Sequence, residues 1–176
     1  MDNYKKAEDK FLFSSYIAKM VEHLFITDIL KEAWLRDHQI EILRAEIDNS
    51  GYDLVLECSG CIRHVQLKCS HQGSKTKSQK VNTELSKKPS GCVIWIKHNI
   101  GKQKKEIILK YKYFGDNSCG ELPSLDNYKT AKKTTKDKGG IKKQRKNIKV
   151  VPESEFKHKS TIELINILFG LDLNED

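Results

Sequence analysis

The sequence predicts an α/β or α+β domain built around a mixed β-sheet. A long helical pattern opens the chain, several strand-like runs follow it, and an amphipathic helix closes it. At 176 residues the chain is expected to form one domain, 1–176, that buries a core without disulfide or metal staples. Its main elements fill about 10–115, a basic segment spans 129–149, and the last helix spans about 160–170.

The first element is a helix predicted over 4–36, where apolar residues recur close to every 3.6 positions. These apolar positions are Phe13, Tyr16, Ile17, Met20, Val21, Leu24, Phe25, Ile29 and Leu30. Ser14 or Ser15 is a candidate cap for a second helix start within this stretch. Alternation of apolar and polar residues then predicts a strand within 38–46, before the turn-forming sequence IDNSG.

The middle of the chain has two strand patterns, 52–57 and 62–69, which are separated by a Ser-Gly turn dipeptide at 59–60. The elements expected after this hairpin are, in order, a polar loop at 70–79, a short helix at 80–88, strands at 92–98 and 106–114, and the C-terminal helix. Ser160 and Gly170 are the start and stop signals of that last helix.

The two-residue turn determines which side chains share a face of the hairpin. It places Asp53 directly opposite Gln66, and Lys68 lies two residues further along on the same side. Directly opposed Cβ atoms are about 4.5–5.5 Å apart, so a carboxylate, an amide oxygen and an amine are expected in one patch. The other side is expected to be an apolar core face that carries Tyr52, Leu54, Val65 and Leu67.

This set of groups suits metal-assisted phosphodiester chemistry. Mg²⁺ prefers one or two carboxylates together with other oxygen ligands and waters. A neighbouring lysine can orient or help to deprotonate an attacking water, or offset charge on a phosphorane-like transition state. The alternative is an exposed sheet face with unrelated polar residues, because Asp at a strand start and Lys near a strand end are both common.

Asp53, followed across a turn by Gln66-Leu67-Lys68, resembles the motif of the PD-(D/E)xK nucleases. The resemblance is to the variant with Gln in place of the acidic residue, as in Mrr-like restriction endonucleases. The sequence DNSGYDLVL is similar to the D-x-x-G-x-D-L segment of that group, although Tyr52 stands where the family has Pro. The resemblance covers roughly 10–100, and the predicted α-β-β-β-α-β order agrees with it.

The resemblance implies a restriction-endonuclease-like α/β fold, with a central mixed β-sheet flanked by helices, and a metal-dependent endonuclease that hydrolyses DNA phosphodiester bonds. The ligands it implies for Mg²⁺ or Mn²⁺ are Asp53, Gln66, the backbone carbonyl of Leu67, and Glu22 on the first helix. Lys68 is the implied catalytic residue that positions the nucleophilic water. Asp48 matches the first Asp of the loop signature and is a second acidic candidate.

Charge is concentrated in the basic segment. The whole chain has a net charge of +8, whereas 129–149 holds ten Lys and Arg residues and one Asp, so the remainder is close to neutral. A near-neutral body with one dense basic segment indicates a polyanionic partner, and DNA is the first candidate. The residues expected to contact it are Lys132, Lys133, Lys142, Lys143, Arg145 and Lys146. The alternative is a solvated loop that keeps the protein soluble.

The five cysteines, at uneven spacings, are interpreted as reduced thiols of a cytoplasmic protein. Cys58 and Cys61 form a CxxC, and with Cys69 and Cys119 they are an alternative set of zinc ligands. His64 is expected on the Asp53 side of the hairpin, where a structural role is favoured over a catalytic one.

Two other classes of function stay open. The first is a nucleic-acid-binding module that keeps the fold without catalysis, for which the neutral Gln66 is the best argument. The second is a structural or partner-binding protein whose lysines only add solubility. Within the nuclease class, a Holliday-junction resolvase has a similar core and size. Cutting both DNA strands usually needs two active sites, which favours a homodimer.

No apolar run of the sequence approaches the roughly 20 residues that a membrane span needs.

Overall fold

The computed structural model describes residues 2–44, 50–100, 106–117, 119–135 and 139–174, with the backbone alone for 2–12 and 100. The α-helices are α1, Asp2–Trp34, and α2, Thr161–Phe169. The strands are β1 Glu41–Arg44, β2 Leu54–Cys58, β3 Cys61–His71, β4 Ser78–Asn82, β5 Gly91–Ile100, β6 Ile107–Phe114, β7 Lys129–Lys132, β8 Gln144–Pro152 and β9 Lys157–Lys159. Short 3₁₀ helices span Thr83–Lys87 and Glu153–Glu155. Among these residues, no helix is long and apolar enough to cross a membrane.

The larger sheet of the described residues has six strands in the order β1-β2-β3-β5-β6-β9. β3 and β5 are parallel neighbours, and the other neighbours in this sheet are antiparallel. Between β3 and β5 the chain leaves the sheet, forms β4 and the first 3₁₀ helix, and then returns. The prediction of an α/β domain around a mixed β-sheet is therefore confirmed.

Both α-helices pack on one face of the large sheet and form the first hydrophobic core with it. The fully buried residues of α1 repeat every four positions along one side of the helix, as expected for an amphipathic helix, and are Val21, Phe25, Ile29 and Ala33. α1 runs without a break through Ser14 and Ser15, so the second helix start predicted there is wrong. Serine in a helix interior costs only a few tenths of a kcal/mol, which is too little to end a helix without Gly or Pro.

α2 begins and ends where the sequence predicted. The hydroxyl of Ser160 accepts from the N–H of Glu163 at 3.2 Å, and the carboxylate of Glu163 accepts from the N–H of Ser160 at 2.8 Å. This reciprocal pair is a capping box. Gly170 has a φ of 69° and donates its N–H to the carbonyl of Asn166 at 2.8 Å, which closes the helix.

A three-stranded sheet, in the order β4-β8-β7, covers the other face of the large sheet. Val93 and Trp95 of β5 are fully buried there against Val81 of β4 and Val151 of β8. The protein is therefore layered, with helices on one side of the large sheet and the small sheet on the other.

The sequence did not predict the small sheet. β3 extends into the loop expected at 70–79, and the helix expected at 80–88 is β4 followed by a 3₁₀ helix. Asn82 separates the two, because its side chain accepts from the N–H of Glu84 at 3.1 Å and caps the 3₁₀ helix. The basic segment, expected as a loop, contributes β7 and most of β8. These strands were missed because β8 pairs with β4 from far along the chain.

Cys61 and Cys119 are joined by a disulfide, with their Cα atoms 5.9 Å apart. The interpretation of all five cysteines as reduced thiols is therefore wrong for this pair. The zinc alternative also loses two of its four ligands, while Cys58 and Cys69 are free. The partners are 58 residues apart in sequence, and disulfide connectivity cannot be deduced from spacing alone.

A buried guanidinium holds the same loop against β3. Arg63 is fully buried and donates to the carbonyls of Asp116 and Gly120, both at 3.2 Å, and to the hydroxyl of Tyr113. The loop after β6 is thus attached to the hairpin by hydrogen bonds from the Arg63 side chain to its backbone carbonyls, as well as by the disulfide.

Glu153 joins the small sheet to the large one through two lysines. Its Oε1 accepts from Nζ of Lys112 at 2.7 Å and from Nζ of Lys97. Both ammonium groups also lie near the Trp95 ring, 5.8 and 4.6 Å from its centroid. The hydrogen bonds from Lys112 and Lys97 lower the pKa of Glu153 from 4.5 to about 2.

We expect Glu153→Gln to lower the free energy of unfolding by about 2 kcal/mol at neutral pH, because a hydrogen bond to a charged group contributes about 1.5–3 kcal/mol. A carboxyl whose pKa is lower in the folded protein stabilises it above the unfolded pKa, and loses that effect as pH falls through the folded pKa. The difference in the free energy of unfolding between wild type and variant, measured by urea unfolding, should therefore shrink as the pH is lowered from 4.5 to about 2.

The control for this comparison is Glu84→Gln, which removes an ion pair with the exposed Lys87. Exposed pairs contribute about 1 kcal/mol or less, so this variant should be close to wild type. A wild-type minus Glu153→Gln difference that does not change with pH would contradict the assigned role of Glu153.

Candidate active site

β2 and β3 form the tight hairpin that the sequence predicted. The two turn residues, at 59–60, both have positive φ, 52° and 79°, as a type I′ turn requires. Leu54 pairs with Val65, so the next position along places Asp53 opposite Gln66. The predicted register of this hairpin is confirmed.

Asp53 lies just before β2 and departs from the regular ladder. Its N–H donates to the carbonyl of Val65 at 2.8 Å, one residue short of the position opposite it. Its Oδ2 accepts from the N–H of Leu67 at 2.6 Å, so the carboxylate occupies the place of a backbone acceptor at the edge of β3. The N–H and C=O of one strand residue point toward the same neighbour, so the carbonyl of Leu67 also faces Asp53.

This irregularity changes which side chains share a face. Leu54, Val65 and Leu67 belong to the helix-side core, as predicted. Tyr52 does not join them, because the departure from the ladder at Asp53 breaks the strict alternation that the prediction assumed. The Tyr52 ring instead packs edge-on against His64, with centroids 5.1 Å apart, on the side of the small sheet.

A cavity of about 350 Å³ lies between α1 and this end of the hairpin. It brings together four of the residues that the sequence analysis singled out: Glu22, Asp53, Leu67 and Lys68. The other described residues that line it are Ser15, Ala18, Lys19, Val21, Cys69 and Ile96. Residues from the first helix and from both hairpin strands therefore meet at one opening.

The charged groups around this cavity are of both signs. The Glu22 side chain is 12% exposed and forms ion pairs with Lys19, at 2.8 Å, and with Nη1 of Arg44, at 3.4 Å. Burial raises the pKa of Cys69 to about 11, so its thiol is neutral near pH 7 and is not a nucleophile. The candidate reactive groups of the cavity are therefore carboxylates and amines.

Gln66 is buried, and its side chain lies against the small sheet rather than in the cavity. Its Oε1 accepts from the backbone N–H of Asn82 at 3.3 Å. An amide oxygen has two lone pairs, so this hydrogen bond leaves one lone pair for a second contact. The structure thus places the Gln66 oxygen beside the small sheet, while Asp53 and Lys68 line the cavity.

Asn82 is a residue that the sequence analysis missed. It pairs with Ile148 at the end of the β4–β8 ladder, and together with Arg145 and Lys146 it lines an open notch. Its N–H therefore connects the hairpin to the basic strand through Gln66. The signal that could have found it is an Asn near the start of the predicted helix at 80–88, because Asn is one of the preferred N-cap residues.

Of the other residues that were predicted for the site, His64 and the basic residues do not line this cavity among the described residues. Asp48 lies outside the described residues. His64 is partly buried, and burial, followed by the charge of Lys88, lowers its pKa. No group of three or more His, Cys, Asp or Glu side chains in the described part of the chain is arranged to hold a metal ion. The predicted nucleic-acid-binding residues Lys132, Lys133, Lys142, Lys143, Arg145 and Lys146 are all exposed.

Comparison with known proteins adds no relative to this description. No protein-family model, no curated protein and no solved structure matches the chain. The resemblance to the PD-(D/E)xK nucleases therefore rests on the motif residues alone.

The contact between Gly51 and Asn82 leads to a stability prediction. Gly51 has a φ of 76°, and a Cβ there would lie 2.9 Å from Cβ and Cγ of Asn82. Gly60 has a similar φ of 79°, but a Cβ there would meet nothing within 4 Å. Gly60→Ala should cost about 1–2 kcal/mol for the left-handed backbone, and Gly51→Ala about 1–3 kcal/mol more for the overlap.

Urea unfolding of the two variants measures this difference, and Gly60→Ala is the matched control. Equal losses of stability in the two variants would show that Gly51 and Asn82 are not in close contact.

Proposed function

We propose that this protein is a metal-dependent endonuclease that hydrolyses DNA phosphodiester bonds. The observation that supports this is a cavity that Glu22, Asp53, Leu67 and Lys68 line together. These residues come from α1, β3 and the residue before β2, and they include the carboxylate and the amine that such a reaction needs.

The donor groups of the cavity fit a hard divalent cation. Glu22 and Asp53 offer carboxylates, and the carbonyl of Leu67 faces the Asp53 carboxylate, which is the oxygen chemistry that Mg²⁺ and Mn²⁺ prefer. Gln66 does not line the cavity, and it would bind the ion only through the second lone pair of its amide oxygen, which Asn82 does not occupy. A bound Mg²⁺ would supply Lewis-acid activation of the phosphate and a lower pKa for an attacking water.

The protein's own residues then have distinct tasks. The N–H of Leu67 donates to Oδ2 of Asp53 at 2.6 Å and so fixes the orientation of this carboxylate. Lys68 follows Leu67 on the same strand and lines the same cavity, where its ammonium group can orient a water and balance charge on the phosphate. Glu22 is held by Lys19 and Arg44, whose ion pairs fix the position of its carboxylate at the cavity.

A nucleic-acid-binding module without catalysis is the second candidate. It is favoured by the hydrogen bond that already engages the Gln66 oxygen with Asn82. The two functions share the DNA-binding surface and differ in turnover, so they are separated by a cleavage assay with Mg²⁺ or Mn²⁺.

Substitutions at Asp53 and Lys68 test the proposed chemistry. Asp53→Asn should lose cleavage and most Mn²⁺ affinity, measured by calorimetry, because it removes the oriented carboxylate. Lys68→Met should keep Mn²⁺ and DNA binding but lose about 10²–10⁴-fold in cleavage rate, the usual effect of removing a proton-transfer group.

Lys110→Met is the matched control for Lys68→Met, because Lys110 is exposed on β6 of the same sheet. It should cleave at the wild-type rate, and circular dichroism should show all three variants folded. Wild-type turnover by Lys68→Met would sink the assignment of this cavity as the active site.

Gln66→Glu tests the remaining ligand. The added charge should lower the Mg²⁺ concentration at half-maximal cleavage by about tenfold, since one favourable charge contact of about 1.4 kcal/mol corresponds to that factor. The measurement is a metal titration of the cleavage rate, compared with wild type at constant ionic strength. An unchanged metal dependence would mean that residue 66 does not contact the ion.

A further inference from the structure

The strands β7 and β8 form a two-stranded ribbon that extends past the body of the small sheet. Pairing of β8 with β4 ends at Ile148 among the described residues. The register of β7 with β8 shifts from Thr130 opposite Lys149 to Lys132 opposite Gln144, so 145–148 bulge from this ladder and the pairing resumes at Gln144. Beyond the regular strands, the N–H of Lys133 still donates to the carbonyl of Lys143 at 2.8 Å. The pairing of the two ribbon strands therefore extends beyond the point where β4 stops pairing with β8.

Both faces of this extension are exposed. Every residue from 141 to 147 is solvent-exposed, and so are Lys132 and Lys133 on the opposite side of the pairing. Closer to the body, Ala131 and Val151 are buried, and Val151 packs in the hydrophobic core between the two sheets. The described part of this extension is thus exposed on both faces, and its base is held by the body of the protein.

The charge on this projection is also two-sided. Lys132 pairs with Gln144, and the N–H of the next residue, Lys133, donates to the carbonyl of Lys143, so these two consecutive lysines point to opposite faces of the ribbon. The described residues at 129–135 and 139–149 contain eight Lys and Arg and no Asp or Glu. A surface that lies along a single phosphate backbone needs cations on one face only. Cations on both faces suit an element that lies between two phosphate backbones.

We infer that the β7–β8 ribbon enters the major groove of double-stranded DNA. The major groove of B-DNA is about 12 Å wide and admits a two-stranded β-ribbon, with phosphates along both walls. Gln144 lies where the pairing resumes, and Arg145 and Asn147 lie in the bulge beside it; Gln, Arg and Asn are residue types that hydrogen-bond to base edges in that groove. Duplex RNA is excluded as a partner, because its A-form major groove is deep and narrow.

This inference rests on the proposed function for the fate of the DNA, but the groove contact itself needs no catalysis. The position of the ribbon agrees with it, because Asn82 pairs with β8 at Ile148 and hydrogen-bonds to Gln66 of the candidate site. Asn82 therefore contacts both β8, which carries basic residues of the ribbon, and the hairpin that follows Asp53.

The first experiment measures binding of the full chain, without divalent metal, to labelled duplex DNA, duplex RNA and single-stranded DNA of one sequence. Fluorescence anisotropy should show duplex DNA bound at least about tenfold more tightly than either of the others, equivalent to about 1.4 kcal/mol. Equal affinity for the three nucleic acids would overturn the groove assignment.

The second experiment uses wild-type protein and a modified duplex. Cytosines that carry a bulky glucosyl group in the major groove should weaken binding by about tenfold or more, whereas a ligand that fills the minor groove should have little effect. Dependence on the minor groove alone would also overturn the inference. This experiment needs no variant, so it stays decisive whatever the folding of the variants below.

The third experiment replaces Lys142, Lys143, Arg145 and Lys146 together with Gln. The slope of log affinity against log salt should decrease by roughly 0.9 for each phosphate that the variant no longer neutralises. The matched control replaces four other exposed lysines, Lys31, Lys87, Lys110 and Lys157, with Gln, and should keep the wild-type slope. Equal slopes in the two quadruple variants would assign binding to overall charge and contradict the inference.

These results are independent of the cleavage assays. A protein that binds duplex DNA through the major groove but never cleaves it would retain the ribbon inference and refute the nuclease proposal. A protein that cleaves DNA through Lys68, yet binds single strands as well as duplexes, would do the reverse.

Discussion

The arrangement of the whole molecule depends on the register of β3. This strand pairs with β2 on one edge and with β5 on the other. One of its faces packs in the helix-side core, and on the other face Gln66 accepts a hydrogen bond from Asn82 of the small sheet. A shift by one residue would exchange the two faces and bring Gln66 to the helix side. The turn at 59–60 and the parallel pairing with β5 both oppose such a shift. The contact between Asp53 and Leu67 exists only in this register, so the geometry of the candidate site follows from the pairing of the sheet.

Features set by neighbouring residues were predictable from the sequence. The spacing of apolar residues predicted α1, Ser160 and Gly170 predicted the ends of α2, and the Ser-Gly turn predicted the hairpin register. Features that join distant segments were not predictable. β4 and β8 each lack a strong pattern of their own, and the partner of Cys61 cannot be deduced from spacing. Tyr52 was misplaced because a single hydrogen bond of Asp53 changes the alternation of the strand.

The same distinction applies to the candidate site. Asp53 and Lys68 share one hairpin, so strand pairing was enough to place them near each other. Glu22 reaches the cavity because the buried stripe of α1 fixes the rotation of the helix against the sheet. The hydrogen bond between Gln66 and Asn82 could not be foreseen, since Asn82 belongs to the other layer. That bond makes Gln66 a link between the two layers, whatever else its oxygen contacts.

The pairing of β4 with β8 also has a consequence for the order in which the chain folds. Asn82 can pair with Ile148 only when the long segment between them has been closed into a loop. Closing a long loop costs conformational entropy, so we expect this contact to form late in folding. During synthesis the helix α1 and the hairpin emerge long before β8. The indole of Trp95 is fully buried in the folded protein, where it packs in the same core as Val151. Before β8 is in place, the same indole is exposed to solvent on a partly folded chain. Apolar surface that is exposed in this way makes a partly folded chain prone to aggregate.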